Sequence, residues 1–484
     1  MRMLETLLPT TWHWLLLIVE VVAAGSALVH VILKKNDPRA AAYWVAIIAL
    51  VPILGALLYL FLGINLIRRA GRHYREVVGQ GAADASPSYM PQLLPEYETE
   101  VQSMEGLVHS LRTVSRMSLL GGNTVEILRD GDETYPAMLE AIESAAKTIS
   151  ICSYIFELKG PGMKFVEALE RAVQRGVAVR VMVDDAGTRY GWPPVTGEMK
   201  KRGIPVRRFM PNWFIGRLLT MNLRNHRKIM VVDGVTGFTG GINIRAGHVI
   251  ADAPDHPARD MHFRVQGPVV GQLQRMFAED WAFCTGEWLQ GEGWFAEHDT
   301  PGDVSAIGLP DGPDADIDTN QLAIATALDE ARRDVRIMTP YFLPPDQIYS
   351  ALMTCALRGV RVRILLPGKN NLAFVQWASR TMYAPLLKRG CRIYESVGVF
   401  DHSKLMTVDG KFSLIGSTNW DPRSLRLNFE FNLGCFDDRL AHALNAEFDA
   451  RMVGAREVTE EWLNALPLRE RIRGGVARLF TPLL

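Results

Sequence analysis

The 484-residue chain lacks several features that would assign it to common classes of protein. Its five cysteines are scattered, odd in number and never spaced as CxxC, which argues against a zinc finger and against a disulfide framework. Basic and acidic residues balance at 53 each, so the formal net charge is zero. This balance argues against broad electrostatic binding of nucleic acid, although it leaves room for a local basic groove.

Charge is also nearly absent from two N-terminal segments. Residues 12–33 carry one formal charge, on Glu20, and residues 40–67 carry none. A helix needs about 20 apolar residues to cross a bilayer, and both segments reach that length. We therefore predict a transmembrane hairpin over residues 1–70. A cleaved signal peptide is the alternative for the first segment, but its apolar run is long for one and a second run follows directly.

Basic residues on the two sides of this hairpin predict its orientation. The turn carries three, which are Lys34, Lys35 and Arg39. The other side carries five, which are Arg2, Arg68, Arg69, Arg72 and Arg75. Under the positive-inside rule, the excess places both ends of the hairpin, and the rest of the chain, in the cytoplasm.

The remainder of the chain repeats itself. After a Gly/Pro/Ser-rich linker, placed at residues 71–112, FVEALERAVQRGVAVRVMVDD predicts a helix, a turn and a strand. IYSALMTCALRGVRVRILLPG returns to the same order 183 residues later. We therefore predict an α/β protein with two similar halves, residues 113–300 and 301–484, connected by a loop at residues 299–318.

Two decapeptides, NHRKIMVVDG and DHSKLMTVDG, also recur, with an offset of 176 residues. The apolar and β-branched residues after each lysine predict a strand. Side chains two apart lie on one face of a strand, which places His226 beside Lys228 and His402 beside Lys404. One such motif is uninformative, but its recurrence in the matching half predicts a shared site.

Each motif continues into a small-residue turn that ends in asparagine, at Asn243 and at Asn419. Two halves facing one another would supply two imidazoles, two ammonium groups and two amides. This set suits a phosphodiester, because lysine and asparagine can hold the non-bridging oxygens. One histidine could then attack phosphorus while the other protonates the leaving alcohol.

HRKIMVVDGVTGFTGGIN and HSKLMTVDGKFSLIGSTN resemble the paired HKD motifs of the phospholipase D superfamily, and within it bacterial cardiolipin synthases. The resemblance extends over the hairpin and over FAEDWAFCTGE, TPYFLP, DPRSLRLNFEFNL and RLFTPLL. It implies two phospholipase D-like halves around a pseudo-twofold site at the bacterial inner membrane. It also implies phosphatidyl transfer between two phosphatidylglycerol molecules through a phosphohistidine, with release of glycerol and without a cofactor or metal.

The resemblance assigns roles to ten residues. His226 is expected to be the nucleophile and His402 the general acid and base. The other catalytic-motif residues are two phosphate-binding lysines and two aspartates that are more often architectural, namely Lys228, Lys404, Asp233 and Asp409. The remaining positions bind substrate or orient a histidine, and they are Asn243, Asn419, Asp260 and Glu430.

Several segments have open interpretations. A metal site could be suggested by His248, His256 and His262 with Asp255 and Asp260, but the histidine spacings of eight and six match no helical ligand pair, so we expect loop histidines. The stretch IRAGHVIADAPDHPARD departs from the family pattern, which leaves its contacts open. Residues 209–219 predict either core or a lipid contact. Residues 456–475 carry both charge signs and predict a solvated terminal helix.

Three other functions compete with phosphatidyl transfer. A phospholipase D hydrolase would use the same residues, because they do not choose between water and a lipid hydroxyl. A membrane-tethered nuclease is disfavoured by the zero net charge and the hairpin. An inactive lipid-binding scaffold is disfavoured because both motifs are intact. The expected partners are phosphatidylglycerol and other membrane lipids, and no nucleic acid.

Overall fold

A computed structural model describes residues 2–35, 38–60, 98–101, 103–210, 224–313 and 318–479. The chain forms two compact units. The first contains the described residues up to 60, and the second contains those from 98 onward.

The first unit is helical. Its helices are α1 Arg2–Lys34, α2 Pro38–Leu50 and α3 Pro52–Leu58. Within α1, the window Leu17–Lys34 is long and apolar enough to cross a membrane. Helix α1 packs against both α2 and α3. His30 of α1 contacts Tyr59, the residue after α3, with Nδ1 2.8 Å from the tyrosine hydroxyl.

The second apolar segment differs from the prediction of one continuous spanning helix. Helix α2 ends before Val51, whose φ of −138° and ψ of 77° are not helical, and Pro52 then begins α3. Proline lacks an N–H and disfavours helical geometry in the residue before it. The 13 residues of α2 are too few to cross a bilayer alone. Among the described residues, one helix of spanning length is therefore present, and residues 61–67 of the predicted second span lie outside them.

A 16-stranded mixed sheet forms the centre of the second unit. The strands of the first half are β1 Leu120–Arg129, β2 Thr148–Ser153, β3 Ala178–Asp184, β4 Val206–Phe209, β5 Arg224–Asn225, β6 Ile229–Val232, β7 Thr236–Gly240, β8 Ala258–Arg259 and β9 Met261–Gln266. The strands of the second half are β10 Val304–Asp311, β11 Asp334–Met338, β12 Arg361–Pro367, β13 Arg392–Ser396, β14 Phe400–Asp401, β15 Leu405–Val408, β16 Phe412–Gly416, β17 Asn428–Phe436 and β18 Arg456–Val458.

The order of the strands repeats outward from an antiparallel pair, β1 and β10, at the centre of the sheet. One side runs β1-β9-β7-β6-β2-β3-β4, and the other runs β10-β17-β16-β15-β11-β12-β13 and ends in β18. The sixteenth strand, β5, pairs with β17, while β8 and β14 form a separate two-stranded sheet. The two predicted halves are therefore present and related by pseudo-twofold symmetry. The loop predicted at residues 299–318 is wrong over its middle, because Val304–Asp311 is the buried central strand β10.

Helices cover the sheet, as expected when strands and helices alternate along a chain. In the first half they are α4 Glu105–Ser115, α5 Asp130–Ser144, α6 Pro161–Gln174, α7 Val195–Lys201 and α8 Val270–Thr285. In the second half they are α9 Thr319–Glu330, α10 Asp346–Leu357, α11 Ala373–Arg380, α12 Tyr383–Lys388, α13 Asp438–Met452, α14 Glu460–Asn464 and α15 Leu468–Leu479.

Helix α6 shows why these segments are helical. Pro161 stands at its first position, where a missing N–H costs nothing. Its buried Phe165, Leu169 and Ala172 recur at helical spacing and face the sheet. Gly176, with φ of +88°, follows the helix in a turn that favours glycine.

Two boundary predictions need correction. Helix α4 begins at Glu105, inside the predicted linker, and its Leu107 and Leu111 are fully buried. The linker therefore ends before Glu105 rather than at residue 112. Residues 71–97 lie outside the described ones. The predicted terminal helix at residues 456–475 is instead β18 followed by the two helices α14 and α15.

Candidate active site

Both HKD motifs lie at the contact between the two halves. His226 to Lys228 lie between β5 and β6, and His402 to Lys404 lie between β14 and β15. The predicted strands are confirmed for the residues after each lysine, but they do not include the histidine and lysine themselves. The expected proximity holds nevertheless, since Lys228 Nζ donates to the His226 carbonyl at 2.6 Å and Lys404 Nζ donates to the carbonyl of His402.

The strands that precede the histidines pair with the opposite half. β5 runs parallel to β17, and β14 runs parallel to β8. These pairings continue into the motifs, because the His226 N–H donates to the Phe429 carbonyl at 2.9 Å and the His402 N–H donates to the Arg259 carbonyl at 2.7 Å. Each acceptor immediately precedes a carboxylate residue, and this geometry fixes which carboxylate reaches which imidazole.

Each histidine is held by the carboxylate of the other half. His226 Nδ1 lies 2.9 Å from Glu430, and His402 Nδ1 lies 2.7 Å from Asp260. Both carboxylates are fully buried. With Nδ1 engaged, Nε2 is the nitrogen of each ring that remains for a bound molecule. The structure thus brings together four sequence-predicted residues as two crossed pairs.

The two lysines contact their histidines differently. Lys404 Nζ lies 2.7 Å from the Nδ1 atom of His402 and 3.6 Å from Asp260. Both lysines donate to the backbone carbonyl of their own histidine, but Lys228 Nζ lies 5.7 Å from the centre of the Tyr154 ring. The positive charge of Lys404 therefore acts directly on the imidazole of His402.

Burial dominates the electrostatics of the site. It lowers the pKa of His226, an effect that the charge of Glu430 opposes. Burial and the adjacent Lys404 together hold the pKa of His402 well below its ordinary value. Burial also lowers the pKa of Lys228 to about 7, and it lowers the pKa of Lys404. Both imidazoles are consequently neutral near pH 7 in the absence of a bound anion.

The two asparagines line the same cavity as the histidines. The side-chain oxygen of Asn243 accepts from the Ile155 N–H at 3.0 Å, which leaves its amide nitrogen for a ligand. The amide nitrogen of Asn419 donates to Ser424 Oγ at 3.1 Å, and its buried oxygen has no partner among the described residues. Rotation of that amide would present a second donor to a bound phosphate.

The motif aspartates serve the fold rather than the site. Asp233 accepts from the backbone N–H groups of Ala146, Lys147 and Thr148 at 2.7–2.9 Å. Asp409 accepts from those of Arg332, Arg333 and Asp334 at 2.7–2.9 Å. Both have positive φ and stand at the turns that follow β6 and β15. They therefore fix the start of β2 and β11, and neither lines the cavity.

The cavity has a volume of about 1000 Å³. Both histidines and both asparagines line it, together with five basic side chains, Arg189, Arg224, Arg245, Lys369 and Arg423. Two acidic residues, Asp255 and Asp421, also line it. Its size and its excess of cations suit an anionic ligand with a phosphate group.

Comparison with known proteins agrees with this geometry. The family model described as "Cardiolipin synthase, PLD-like domain" matches residues 138–281 and 324–452, together more than half of the chain. The chain belongs to the cardiolipin synthase family of phospholipase D-like proteins. A model described as "Phospholipase_D-nuclease N-terminal" matches residues 22–63, which include the C-terminal part of α1 and all of α2 and α3. This match and the span-length helix indicate that the chain associates with a membrane.

Curated cardiolipin synthases are similar over nearly the whole chain. One from Oceanobacillus iheyensis is 30% identical over 94% of this chain and 95% of its own. The major cardiolipin synthase ClsA of Bacillus subtilis is 29% identical over 95% and 96%. Among solved structures, phosphatidylserine synthase from Haemophilus influenzae has a TM-score of 0.59 at 14% identity, with 78% of this chain and 98% of that chain covered. That structure shares the fold.

Two tyrosines beside the histidines of this cardiolipin synthase family member were not predicted from the sequence. The ring of Tyr154 meets His226 edge-on with centroids 5.1 Å apart, and that of Tyr341 meets His402 at 5.9 Å. Each follows the second strand of its half, β2 or β11. An aromatic residue at the same point of both repeats, in SYIF and in PYF, is the signal that could have found them.

A buried ion pair between Arg227, the residue after His226, and Asp280 was also not predicted from the sequence. Arg227 Nη1 donates to Asp280 at 2.6 Å, and Arg227 Nε donates to the Glu430 carbonyl at 3.1 Å. Asn225 donates to the other oxygen of Asp280 at 2.8 Å. Asp280 lies within FAEDWAFCTGE, a stretch that carries the family resemblance but was assigned no role. The pair connects α8 to β17 and so supports the segment that carries Glu430.

The remaining candidates have mixed outcomes. The loop prediction is wrong for His262, which is buried in β9, where burial lowers its pKa to about 3. His248 lies in a short 3₁₀ helix, donates from Nδ1 to the Ala258 carbonyl at 2.8 Å and lines the cavity, as does His256. Within the described ranges, no group of three His, Cys, Asp or Glu side chains is arranged to hold a metal ion.

The apolar stretch before the first motif begins in the core. Phe209, the last residue of β4, is fully buried and packs against Phe283 and Phe429. Residues 211–219 of that stretch lie outside the described ones. Phe209 therefore supports the core interpretation at its own position.

Proposed function

We propose that this chain is a cardiolipin synthase that transfers a phosphatidyl group from one phosphatidylglycerol to another and releases glycerol. The observation that carries the proposal is the crossed pair of histidines, each oriented by a carboxylate of the opposite half at one cationic cavity. Two oriented imidazoles at one phosphodiester provide a nucleophile and an acid on opposite sides of phosphorus.

In the first step, His226 Nε2 attacks phosphorus of the donor lipid. The P–O bond to glycerol breaks, and protonated His402 gives its Nε2 proton to the leaving oxygen. Glu430 raises the basicity of His226, which favours the role of nucleophile. Lys404 destabilises positive charge on His402, which makes the protonated ring a stronger acid. The products are a phosphatidyl-histidine and free glycerol.

In the second step, neutral His402 accepts the proton of a primary hydroxyl on the second phosphatidylglycerol. The freed oxygen attacks phosphorus, and the bond from phosphorus to His226 Nε2 breaks. One phosphodiester replaces another, so no nucleotide and no cofactor is consumed. His402 is protonated again and His226 is neutral, as at the start.

Charge balance explains how one histidine becomes protonated. With both lysines charged, both carboxylates ionised and both imidazoles neutral, the six central groups sum to zero. A bound phosphodiester adds one negative charge in a buried site, and this charge raises the pKa of both imidazoles. Lys228, Lys404, Asn243 and Asn419 hold the non-bridging oxygens and offset the charge that develops in the transition state.

We further propose the membrane arrangement of the enzyme. Residues 1–70 form a hairpin in the bacterial inner membrane, in which α1 crosses the bilayer and α2 and α3 together lead the chain back, so both ends and the catalytic halves lie in the cytoplasm. A linker from residue 71 to α4 precedes the halves, which divide near residue 300. This anchoring holds the site where lipid hydroxyls are concentrated and so favours transfer over hydrolysis.

The test is product analysis with the purified full-length enzyme. Vesicles of phosphatidylglycerol, labelled separately in the acyl chain and in the terminal glycerol, are incubated with the enzyme and the products are separated. We expect cardiolipin and free glycerol in equal amounts, with phosphatidic acid as a minor product. Activity should persist in a chelator when the substrate is dispersed in detergent, which avoids the effect of divalent ions on anionic bilayers.

Three outcomes would overturn parts of this proposal. A predominance of phosphatidic acid at high lipid density would identify a phospholipase D hydrolase. Loss of activity in the chelator, with recovery on addition of a divalent ion, would require a metal in the reaction. Trapping of the labelled intermediate assigns the nucleophile, since label on His402 would reverse the two roles.

A further inference from the structure

The C-terminal helix α15 exposes an apolar stripe. Leu468, Ile472, Val476 and Leu479 are 70%, 58%, 49% and 77% exposed, respectively. Their spacing of four, four and three residues places all four side chains within one quarter of the helix circumference. A solvated helix would place polar side chains there, so this continuous stripe requires a partner.

The opposite face of α15 is already docked. Gly474 and Ala477 are buried against α11, where a side chain on Gly474 would come within about 3.0 Å of Thr381 and of the Trp377 backbone. The guanidinium of Arg473 lies 4.6 Å from the centre of the Trp377 ring. The helix is therefore fixed on the surface of the second half with its apolar stripe directed away from the contact.

The edges of the stripe are cationic. Four arginines and one glutamate give α15 a net charge of +3. On a helical projection, Arg469 borders one edge of the stripe and Arg471 borders the other, and both are exposed. A helix with a central apolar stripe and basic borders matches an anionic lipid surface, where apolar side chains enter the acyl boundary and arginines meet the headgroups.

The contact partner of α15 is also a wall of the active-site cavity. Val375 of α11 and the preceding Leu372 line the cavity, and Leu372 is 49% exposed. Other exposed apolar residues adjoin lining residues, with Trp192 close in sequence to Tyr190 and Val397 next to Gly398. Exposed apolar side chains thus stand at the rim of the cavity as well as on α15.

We propose that α15 is an interfacial helix that binds the catalytic unit to an anionic bilayer, with Leu468, Ile472, Val476 and Leu479 in the acyl boundary. A narrow stripe with basic borders fits a lipid surface better than the broad, weakly charged patch of a stable protein interface. The contact places the wall formed by α11 next to the lipid from which substrate is drawn. This last consequence rests on the proposed function, whereas the lipid contact itself does not.

The direct test measures the depth of position 472 in lipid. In the full-length enzyme with Cys284→Ser, an Ile472→Cys variant carries an environment-sensitive fluorophore, and a Leu357→Cys variant is the control. Leu357 is 65% exposed at the end of α10, and the other four cysteines are buried. After reconstitution, lipids brominated in the acyl chain should quench the label at 472 at least about twofold more than the label at 357.

Lipid charge supplies the second arm of this test. Replacement of phosphatidylglycerol by phosphatidylcholine in the vesicles should reduce quenching at 472, because the arginine borders lose their counter-charges. Equal quenching at both positions would overturn the proposal. So would protection of position 472 that persists in detergent and depends on protein concentration, because that result would identify a second copy of the chain as the occupant.

A kinetic test uses surface variants. Ile472→Ser/Leu479→Ser should lower the initial rate on phosphatidylglycerol vesicles by about tenfold or more, because apolar area leaves the bilayer. The rate on substrate dispersed in detergent micelles should remain within twofold of wild type. The matched control Leu322→Ser/Leu357→Ser changes two other exposed leucines and should leave both rates unchanged. Equal losses in vesicles and micelles would contradict a role at the bilayer.

The quenching result separates this proposal from the proposed function. An enzyme that makes phosphatidic acid rather than cardiolipin would still show quenching at 472 if α15 binds lipid. Conversely, an enzyme that makes cardiolipin without quenching at 472 would refute only the role of α15.

Discussion

Each histidine donates its backbone N–H to a carbonyl of the opposite half and contacts a buried carboxylate there. The charges around the two imidazole rings nevertheless differ. Nδ1 of His226 faces the Glu430 carboxylate, and its lysine neighbour donates to backbone. Nδ1 of His402 faces both Asp260 and the ammonium of Lys404. Pseudo-symmetry of the fold therefore does not make the two imidazoles chemically equivalent.

The two carboxylates are also held differently. Glu430 accepts hydrogen bonds from Ser417 at 2.5 Å and from Asn428 at 3.1 Å. Asp260 accepts from the N–H of Met261 at 2.8 Å and has Lys404 nearby. A duplicated fold can thus provide one imidazole with the basicity of a nucleophile and another with the strength of an acid.

The largest expected effect comes from removal of either imidazole. His226→Ala and His402→Ala should each lower the rate of cardiolipin formation by about 10⁴-fold or more, because the two rings act on one phosphorus atom. The double variant should be little worse than either single variant. Initial rates on labelled phosphatidylglycerol measure this, and substantial activity in one single variant would break the shared-site model.

Exchange of the carboxylates for amides should separate the two halves. Glu430→Gln should lower the rate by about 10³-fold, because an amide no longer favours Nδ1–H on His226, the proposed nucleophile. Asp260→Asn should cost less, about 10–100-fold, because Lys404 can donate to Nδ1 of His402 and so keep the ring proton on Nε2, the atom from which the acid gives it. Rates of purified variants with unchanged thermal stability test this order, and a larger loss in Asp260→Asn would reverse the comparison.

The lysines should differ in their response to pH. Burial lowers the pKa of Lys228 to about 7, so its ammonium is present below pH 7 and is lost as the pH rises above it. The inhibition constant of sulfate, whose own charge is constant in this range, should therefore rise by up to about tenfold per pH unit above pH 7. Detergent-dispersed substrate avoids changes in the bilayer.

Arginine variants identify the titrating group. Arginine stays protonated throughout this range, so Lys228→Arg should remove the part of the pH dependence of sulfate inhibition that comes from Lys228 and leave the part that comes from protonation of an imidazole. Lys404→Arg is the matched control and should retain both parts. The opposite result would show that Lys404 is the lysine that titrates near neutral pH.

The smallest expected effects concern the tyrosine hydroxyls. Tyr341 donates to Asn371 at 3.0 Å, so Tyr341→Phe should lower the rate about threefold to fivefold through the loss of one hydrogen bond that positions the ring. For the Tyr154 hydroxyl, the structure places no hydrogen-bond partner among the described residues, and Tyr154→Phe should stay within about twofold. Steady-state rates measure both, and equal losses would mean that the Asn371 contact does not position the ring beside His402.

The sequence predicts most of the architecture because repetition is visible in one chain. The recurrence of RGVAVRV as RGVRVRI, and of the two decapeptides, gives two halves and a shared site without any structure. The carboxylates at positions 260 and 430 are also found from the family resemblance. Their crossed partners are not, because a local pattern contains no information about how one half faces the other.

Local patterns misled where long-range pairing overrides them. SAIGLPDG has the glycine and proline of a loop, yet β10 is a strand because it pairs with β1 on one side and β17 on the other. The sequence pattern predicts a strand over His226 to Lys228, but these residues lie between two strands. The His226 N–H bonds instead to Phe429 of the opposite half. The C-terminal arginines suggest a solvated helix, whereas packing against α11 leaves the apolar residues of α15 exposed.

The position of β17 near the end of the chain has a consequence for the timing of biosynthesis. His226 and its partner Glu430 are separated by 204 residues. A ribosome that adds about 5–20 residues per second needs roughly 10–40 s to cover that distance. The N-terminal apolar helix α1 is made well before then. The site is thus completed only after the membrane segment has been synthesised, and the growing chain spends that interval without the carboxylate that orients His226.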